Sequence, residues 1–204
     1  MKKLILAVSM FIFTATGCEN IESYLPQAKT YTIVGDAPIT MNNEKRTGKI
    51  FFITSPARTY DEFAQTALLA AWELHKANDK LDVIQVELIP GANLIFKGMS
   101  YASAFYAADK KGMEDFSGSD PNAILKFTWL VRAASQPLND ADLTMVNLWF
   151  DHMKDFPSKN LYSNLLYDND DLVKFVAGTM HIPVSEVKIP MINLKEYKNL
   201  PFIK

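Results

Sequence analysis

The sequence predicts an α+β domain: a mainly antiparallel sheet of about five strands carrying three helices, with room for one βαβ crossover. Three observations lead there. Ile84, Val86 and Leu88 alternate with Gln85 and Glu87, and Phe127, Trp129 and Val131 alternate with Lys126, Thr128 and Arg132, which is the period of half-buried strands. Thr59-Tyr60-Asp61-Glu62 fits a capping box ahead of apolar residues at helical spacing. Strand and helix patterns do not alternate strictly along the chain, as they would in a parallel α/β fold.

Taken in order, Thr30 to Val34 is rich in β-branched residues and reads as a strand closed by Gly35-Asp36. Asn42-Asn43 marks a turn, and Ile50 to Thr54 is a second strand ended by Ser55-Pro56. Phe63, Ala67, Ala70, Ala71 and Leu74 then form the inward stripe of a helix from Tyr60 to about Ala77. Leu81 to Ile89 is a strand broken by Pro90-Gly91, and Tyr101 to Ala108 is another, followed by a polar loop from Met113 to Asn122. After the Lys126–Ala133 strand, Asn139 caps a second helix reaching about Met153, with Leu143, Val146, Phe150 and Met153 inward. Asp168-Asn169-Asp170-Asp171 opens a third, whose stripe is Leu172, Phe175, Val176 and Met180. The tail from Ile182 carries Pro183, Pro190 and Pro201, which forbid a long helix and leave it extended against the domain. A crossover from Ile50–Thr54 through the first helix to Ile84–Leu88 would pair those strands in parallel.

The first eighteen residues stand apart. Lys2 and Lys3 precede a mostly apolar run from Leu4 to Phe13, and small residues lead to Ala15-Thr16-Gly17-Cys18. The run is too short to span a bilayer as a stable helix, and the order reads as a secretory signal peptide. Its ending resembles the lipobox of bacterial lipoproteins. The resemblance implies that residues 1–17 are removed, that Cys18 becomes the lipidated first residue, and that residues 18–29 tether a single domain over 30–204. Thioether and amide acyl chains together bury several tens of methylenes at about 0.8 kcal/mol each, beyond what stable anchoring requires. In enteric-type lipoproteins an Asp after the cysteine marks inner-membrane retention. Here Glu19 follows Cys18, so the resemblance implies the outer membrane, facing the periplasm.

Composition narrows the function classes. Hydrophobic residues at 49% and charged residues at 22% exclude wholesale disorder. The formal charge of −2 becomes −2 − 2 = −4 once Lys2 and Lys3 are lost, so nucleic acid is not an expected partner. Cys18 is the only cysteine, which forbids an intramolecular disulfide. No phosphate-cradling glycine loop, paired-histidine zinc signature or Gly-x-Ser-x-Gly elbow occurs, and no cofactor is expected.

Several groups have the composition of candidate sites. His75, His152 and His181 each fall near a helix C-terminus, where exposed carbonyls favour a cation, so separate helix-end roles explain them better than a shared metal. Asp168 to Asp171 fails as a calcium loop, because its sixth and twelfth positions are Val173 and Thr179 rather than Gly and Glu. Ser117-Gly118-Ser119-Asp120 lacks an adjacent base and reads as a surface loop. The aromatic group Phe96, Tyr101, Phe105, Tyr106 and Phe116 is a candidate lining for a ligand or glycan groove. Leu200, Phe202 and Ile203 are a candidate partner-docking segment.

Three stretches, Ser55-Pro56-Ala57, Tyr106 to Gly112 and Ile182 to Val187, make residues from Tyr31 to Tyr197 similar to a group of small α+β domains of bacterial mobile-element and envelope proteins. That resemblance implies a fold and no activity. The expected function is a membrane-anchored, periplasm-facing binding, assembly or exclusion module without catalysis, held by lipid on Cys18 and facing an envelope protein partner. The alternatives are a small-ligand or glycan binder using residues 96–116, and a hydrolase whose site is assembled only in the fold.

Overall fold

The structure, a computed structural model, describes residues 21–39, 47–107, 129–156 and 169–200. Cys18, the Asn42-Asn43 turn, the loop with Phe116, Ser117 and Ser119, and Phe202 and Ile203 lie outside them. The fold is α+β. Strands β1 (Thr32–Ile39), β2 (Gly48–Thr54), β3 (Val83–Leu88), β4 (Ala102–Ala107), β5 (Trp129–Ala134) and β6 (Leu194–Glu196) form one sheet in that spatial order. Among the described strands only β2 and β3 pair in parallel, and every other neighbour is antiparallel. The helices among the described residues are α1 (Tyr60–Ala77), α2 (Asp140–His152) and α3 (Asp170–Met180).

Helix α1 forms the crossover that parallel pairing of β2 and β3 demands. Thr59 caps it: Glu62 N–H donates to Thr59 Oγ1 at 3.3 Å, and Thr59 N–H donates to the Glu62 carboxylate at 3.2 Å. Lys29 Nζ lies 2.9 Å from the same carboxylate, and these contacts hold the Glu62 pKa below the usual carboxylate range. Phe63, Ala64, Ala67, Leu68, Ala70 and Ala71 are completely buried against the sheet. Alanines on this stripe meet Ala102 and Ala104 of β4 in one core, where their small side chains let helix and sheet approach closely.

Three findings differ from the sequence reading. β1 does not end at Gly35-Asp36 but continues to Ile39, with a bulge between Ile33 and Gly35 absorbing the irregularity. A sixth strand arises inside the proline-bearing tail, where Leu194, Lys195 and Glu196 pair with Ala134, Ala133 and Arg132. Residues 18–29 are not a free tether over their described part. Ile21 and Leu25 are buried in the first core, Gln27 N–H donates to Gln65 Oε1 at 2.8 Å, and Lys29 N–H donates to Thr66 Oγ1 at 2.9 Å. Gln65 and Thr66 are buried on α1, and binding this segment satisfies their oxygens.

Helices α2 and α3 pack beside the sheet around a second core of Leu94, Met99, Met145, Val146, Trp149, Phe150, Leu172 and Val176. Asn139 and Asn169 cap them through bonds from Asp142 N–H at 2.8 Å and Leu172 N–H at 3.1 Å. His181 ends α3 in the left-handed conformation at φ 55°.

Removing the Thr59 hydroxyl deletes one half of the capping box. Thr59→Ala is expected to cost about 1 kcal/mol and lower Tm by several degrees in a thermal melt followed by circular dichroism. An unchanged Tm would show that the cap carries no stability.

Candidate functional site

With α1 covering one face of the sheet, the other face carries the residues left over by strand alternation. Registers align Phe52, Glu87, Ser103, Arg132 and Glu196 as one row across β2 to β6. Beside it runs Ile50, Gln85, Phe105 and Leu130.

The connection from β3 to β4 folds back over this face instead of turning tightly. Its ends are pinned to the sheet: Ile89 N–H donates to Ile53 O at 2.9 Å and Tyr101 N–H donates to Leu88 O at 2.7 Å. A short 3₁₀ turn, Ala92–Leu94, drops the fully buried Leu94 into the second core, and Asn93 Nδ2 donates to Asn147 Oδ1 on α2 at 3.0 Å. Ile95 crosses β1 at Gly35. A Cβ on Gly35 would lie 2.9 Å from Ile95 Cδ1, so the close approach is made possible by glycine there. The next residues turn sharply, with Phe96 at φ 60° and Gly98 at φ 69°. Left-handed backbone at a bulky residue costs on the order of 1–2 kcal/mol. The Phe96 ring is 67% exposed, yet it meets the buried Phe52 ring edge to face at 4.7 Å between centroids.

These elements enclose a half-open pocket of about 350 Å³, at the lower end of the range for small-ligand sites. Ile50, Phe52, Ile89, Leu94, Phe96, Gly98, Ile192 and Leu194 make its walls, and Ser100 and Glu87 supply its polar atoms. Ile192 and Leu194 belong to the tail, so the pocket is closed by three segments distant in sequence. Burial raises the Glu87 pKa, while hydrogen bonds from Ser100, Gln85 and Ser103 oppose that rise. Gln85 Nε2 donates directly to Glu87 Oε1.

The aromatic residues singled out from sequence do not share a groove. Tyr101 is buried under α1, its ring stacked on Phe63 at 4.9 Å and its hydroxyl accepting from Leu138 N–H at 3.3 Å. Phe105 points to the opposite face, beside Val83 and Ala107. Tyr106 returns to the α1 face, 4.0 Å from the His75 ring and 4.7 Å from Trp129. Strand alternation separates them. Of the described members, only Phe96 borders the pocket. Leu200 packs on the first core of its own domain, which answers the docking expectation for that residue.

The histidines stay apart. Burial, then the neighbouring Lys76, lowers the pKa of His75; His152 Nδ1 lies 2.9 Å from Asp155 Oδ2; His181 caps α3. Among the described residues no cluster of His, Cys, Asp and Glu could hold a metal ion, and no helix is long and apolar enough to cross a membrane. Asn169, Asp170 and Asp171 form the cap and first turn of α3. Sequence reading missed Glu87 as a site residue because alternation marks it as solvent-facing. The one available signal was the apolar content of the connection, Leu94, Ile95, Phe96 and Met99, which is unusual for an exposed loop.

The raised Glu87 pKa has a definite sign. Below the ordinary carboxylate range the folded and unfolded chains bind the same proton. As pH rises through that range the unfolded chain ionises first, so stability falls until the folded carboxyl also loses its proton. Glu87→Gln lacks this fall, so its Tm gain over the parent is expected to be larger near about pH 7 than near about pH 4. Equal shifts at both pH values, read by calorimetry, would contradict the displaced titration.

Comparison with known proteins follows the same outline. The sequence model of the domain-of-unknown-function family DUF4875 matches residues 26–192, and the chain belongs to that family. No curated protein matches it. Among solved structures it is similar to a DUF487 family protein from Desulfovibrio piger, with a TM-score of 0.59 and 20% identity, over 84% of this chain and 96% of the other. That likeness concerns the fold.

Proposed function

We propose that this member of the DUF4875 family is a membrane-tethered, non-catalytic binding module of the bacterial cell envelope, with the far-face pocket as its recognition site. The observation that carries the binding role is the pocket itself: apolar walls from three segments around one ionisable side chain, roofed by a strained turn. Strain concentrated at a recess is a mark of recognition sites. The module acts by occupancy, presenting or withholding a surface to an envelope protein partner according to what the pocket holds.

The tether is supported by the Ala15-Thr16-Gly17-Cys18 ending of the leader. Because Ile21 is already packed in the first core, lipid on Cys18 would hold the domain within about 10 Å of the bilayer, given roughly 3.5 Å per extended residue. The domain then faces the periplasm from the outer membrane, close to the lipid surface and with little freedom to swing away.

Cys18→Ser tests the anchoring. The variant is expected in the soluble fraction, or as uncleaved precursor, when cells are fractionated and immunoblotted. Processed protein that stays in the membrane without the thiol would refute the lipid tether.

A further inference from the structure

We infer that the far-face pocket takes a small organic cation: an amine whose apolar body fills the recess between Phe52 and Phe96 and whose ammonium rests on Glu87. The inference rests on reading the pocket as the recognition site and names the chemistry it selects.

Among the described lining residues Glu87 is the only ionisable group. The hydrogen bonds around it come from donors, Ser100, Gln85 and Ser103, that carry no charge. An ionised carboxylate has roughly four acceptor positions, so this set leaves capacity for a further donor. Among the described residues no lysine or arginine lines the pocket to serve as counter-ion. Arg132 is the nearest cation along the same row, but it lies beyond Ser103 and is exposed. Lys97, on the roofing turn, points its Nζ to the Phe150 ring at 5.6 Å. Burial already makes the bare carboxylate unfavourable, and an ammonium in the recess supplies the missing charge where water is partly excluded.

The roof adds a second source of selectivity. Phe96 holds an exposed ring at the mouth of an acidic recess, on a backbone that a glycine would adopt more easily. Aromatic faces attract organic ammonium groups, and the attraction strengthens on desolvation. A neutral ligand gains only the apolar walls, and an anion meets Glu87 with no compensating cation. A recess of about 350 Å³ suits a body of roughly ten heavy atoms rather than a polymer chain.

Isothermal titration of the full-length chain in detergent, using phenethylamine, 2-phenylethanol and phenylacetate, compares one apolar body carrying a cation, a neutral donor and an anion. The amine is expected to bind about tenfold or more tightly than the alcohol, with no detectable binding of the acid. Glu87→Gln should weaken the amine by about tenfold and leave the alcohol within about twofold, whereas Phe96→Ala weakens both. Circular dichroism confirms that each variant is folded, and its titration under the same conditions cancels partition into micelles. If the alcohol binds as tightly as the amine and Phe96→Ala weakens both, the amine assignment is overturned while the pocket remains the recognition site. If neither compound binds, or if neither variant alters binding, both the amine assignment and the pocket reading fall.

Discussion

Packing of α1 on the sheet is the constraint from which the rest follows. Parallel pairing of β2 with β3 requires a connection that crosses a whole face, and the eighteen residues of α1 make it. Once Phe63, Leu68 and the alanine stripe are packed against β3, β4 and β5, that face is taken up by the first core. The opposite face must be closed by something else. The β3–β4 connection and the tail close it incompletely, and the space they leave is the pocket. Site and scaffold are thus divided between the two sides of one sheet, with strand alternation deciding which residue serves which.

Part of this division is visible in the sequence. Thr59 and Glu62 mark the start of α1, and Ile84, Val86 and Leu88 mark the buried face of β3, because both signals are local. What was not legible depends on contacts between distant segments. Gly35 looks like a strand terminator, yet it is the place where Ile95 crosses, and the ladder runs past it through a bulge. Ile21 and Leu25 have no periodicity, and only the side chains of Gln65 and Thr66 reveal why that segment is held down. Glu87 reads as an exposed strand residue until the connection folds over it. Phe105 and Tyr106 read as one aromatic group, although adjacent residues of a strand face opposite ways.

Departures from ordinary backbone and ordinary solvation meet at the same spot. Three of the described residues have positive φ, and two of them, Phe96 and Gly98, lie within a few residues of each other and line the pocket that contains Glu87. The third, His181, has a plain structural explanation as the left-handed cap of α3. Charged groups elsewhere, such as Lys49 with Asp36 at 3.2 Å and Lys174 with Asp171 at 3.8 Å, form pairs at the solvent-exposed surface, where they contribute little. Glu87 differs from these: it is half-buried, and its hydrogen bonds come from uncharged neighbours. Its cost is tolerated at a position where the fold also accepts backbone strain, a conjunction expected of a site shaped by recognition rather than by stability alone.

The account depends on Glu87 being an acid held in an apolar recess, and the direct measurement is its own titration. Carbon-13 NMR of the side-chain carboxyl, assigned by comparison with Glu87→Gln, follows that group through the acid range. The expected midpoint lies above the usual glutamate value. A midpoint at or below the usual glutamate value would mean that the carboxyl is fully hydrated or already paired, and the far-face pocket would lose the feature that distinguishes it.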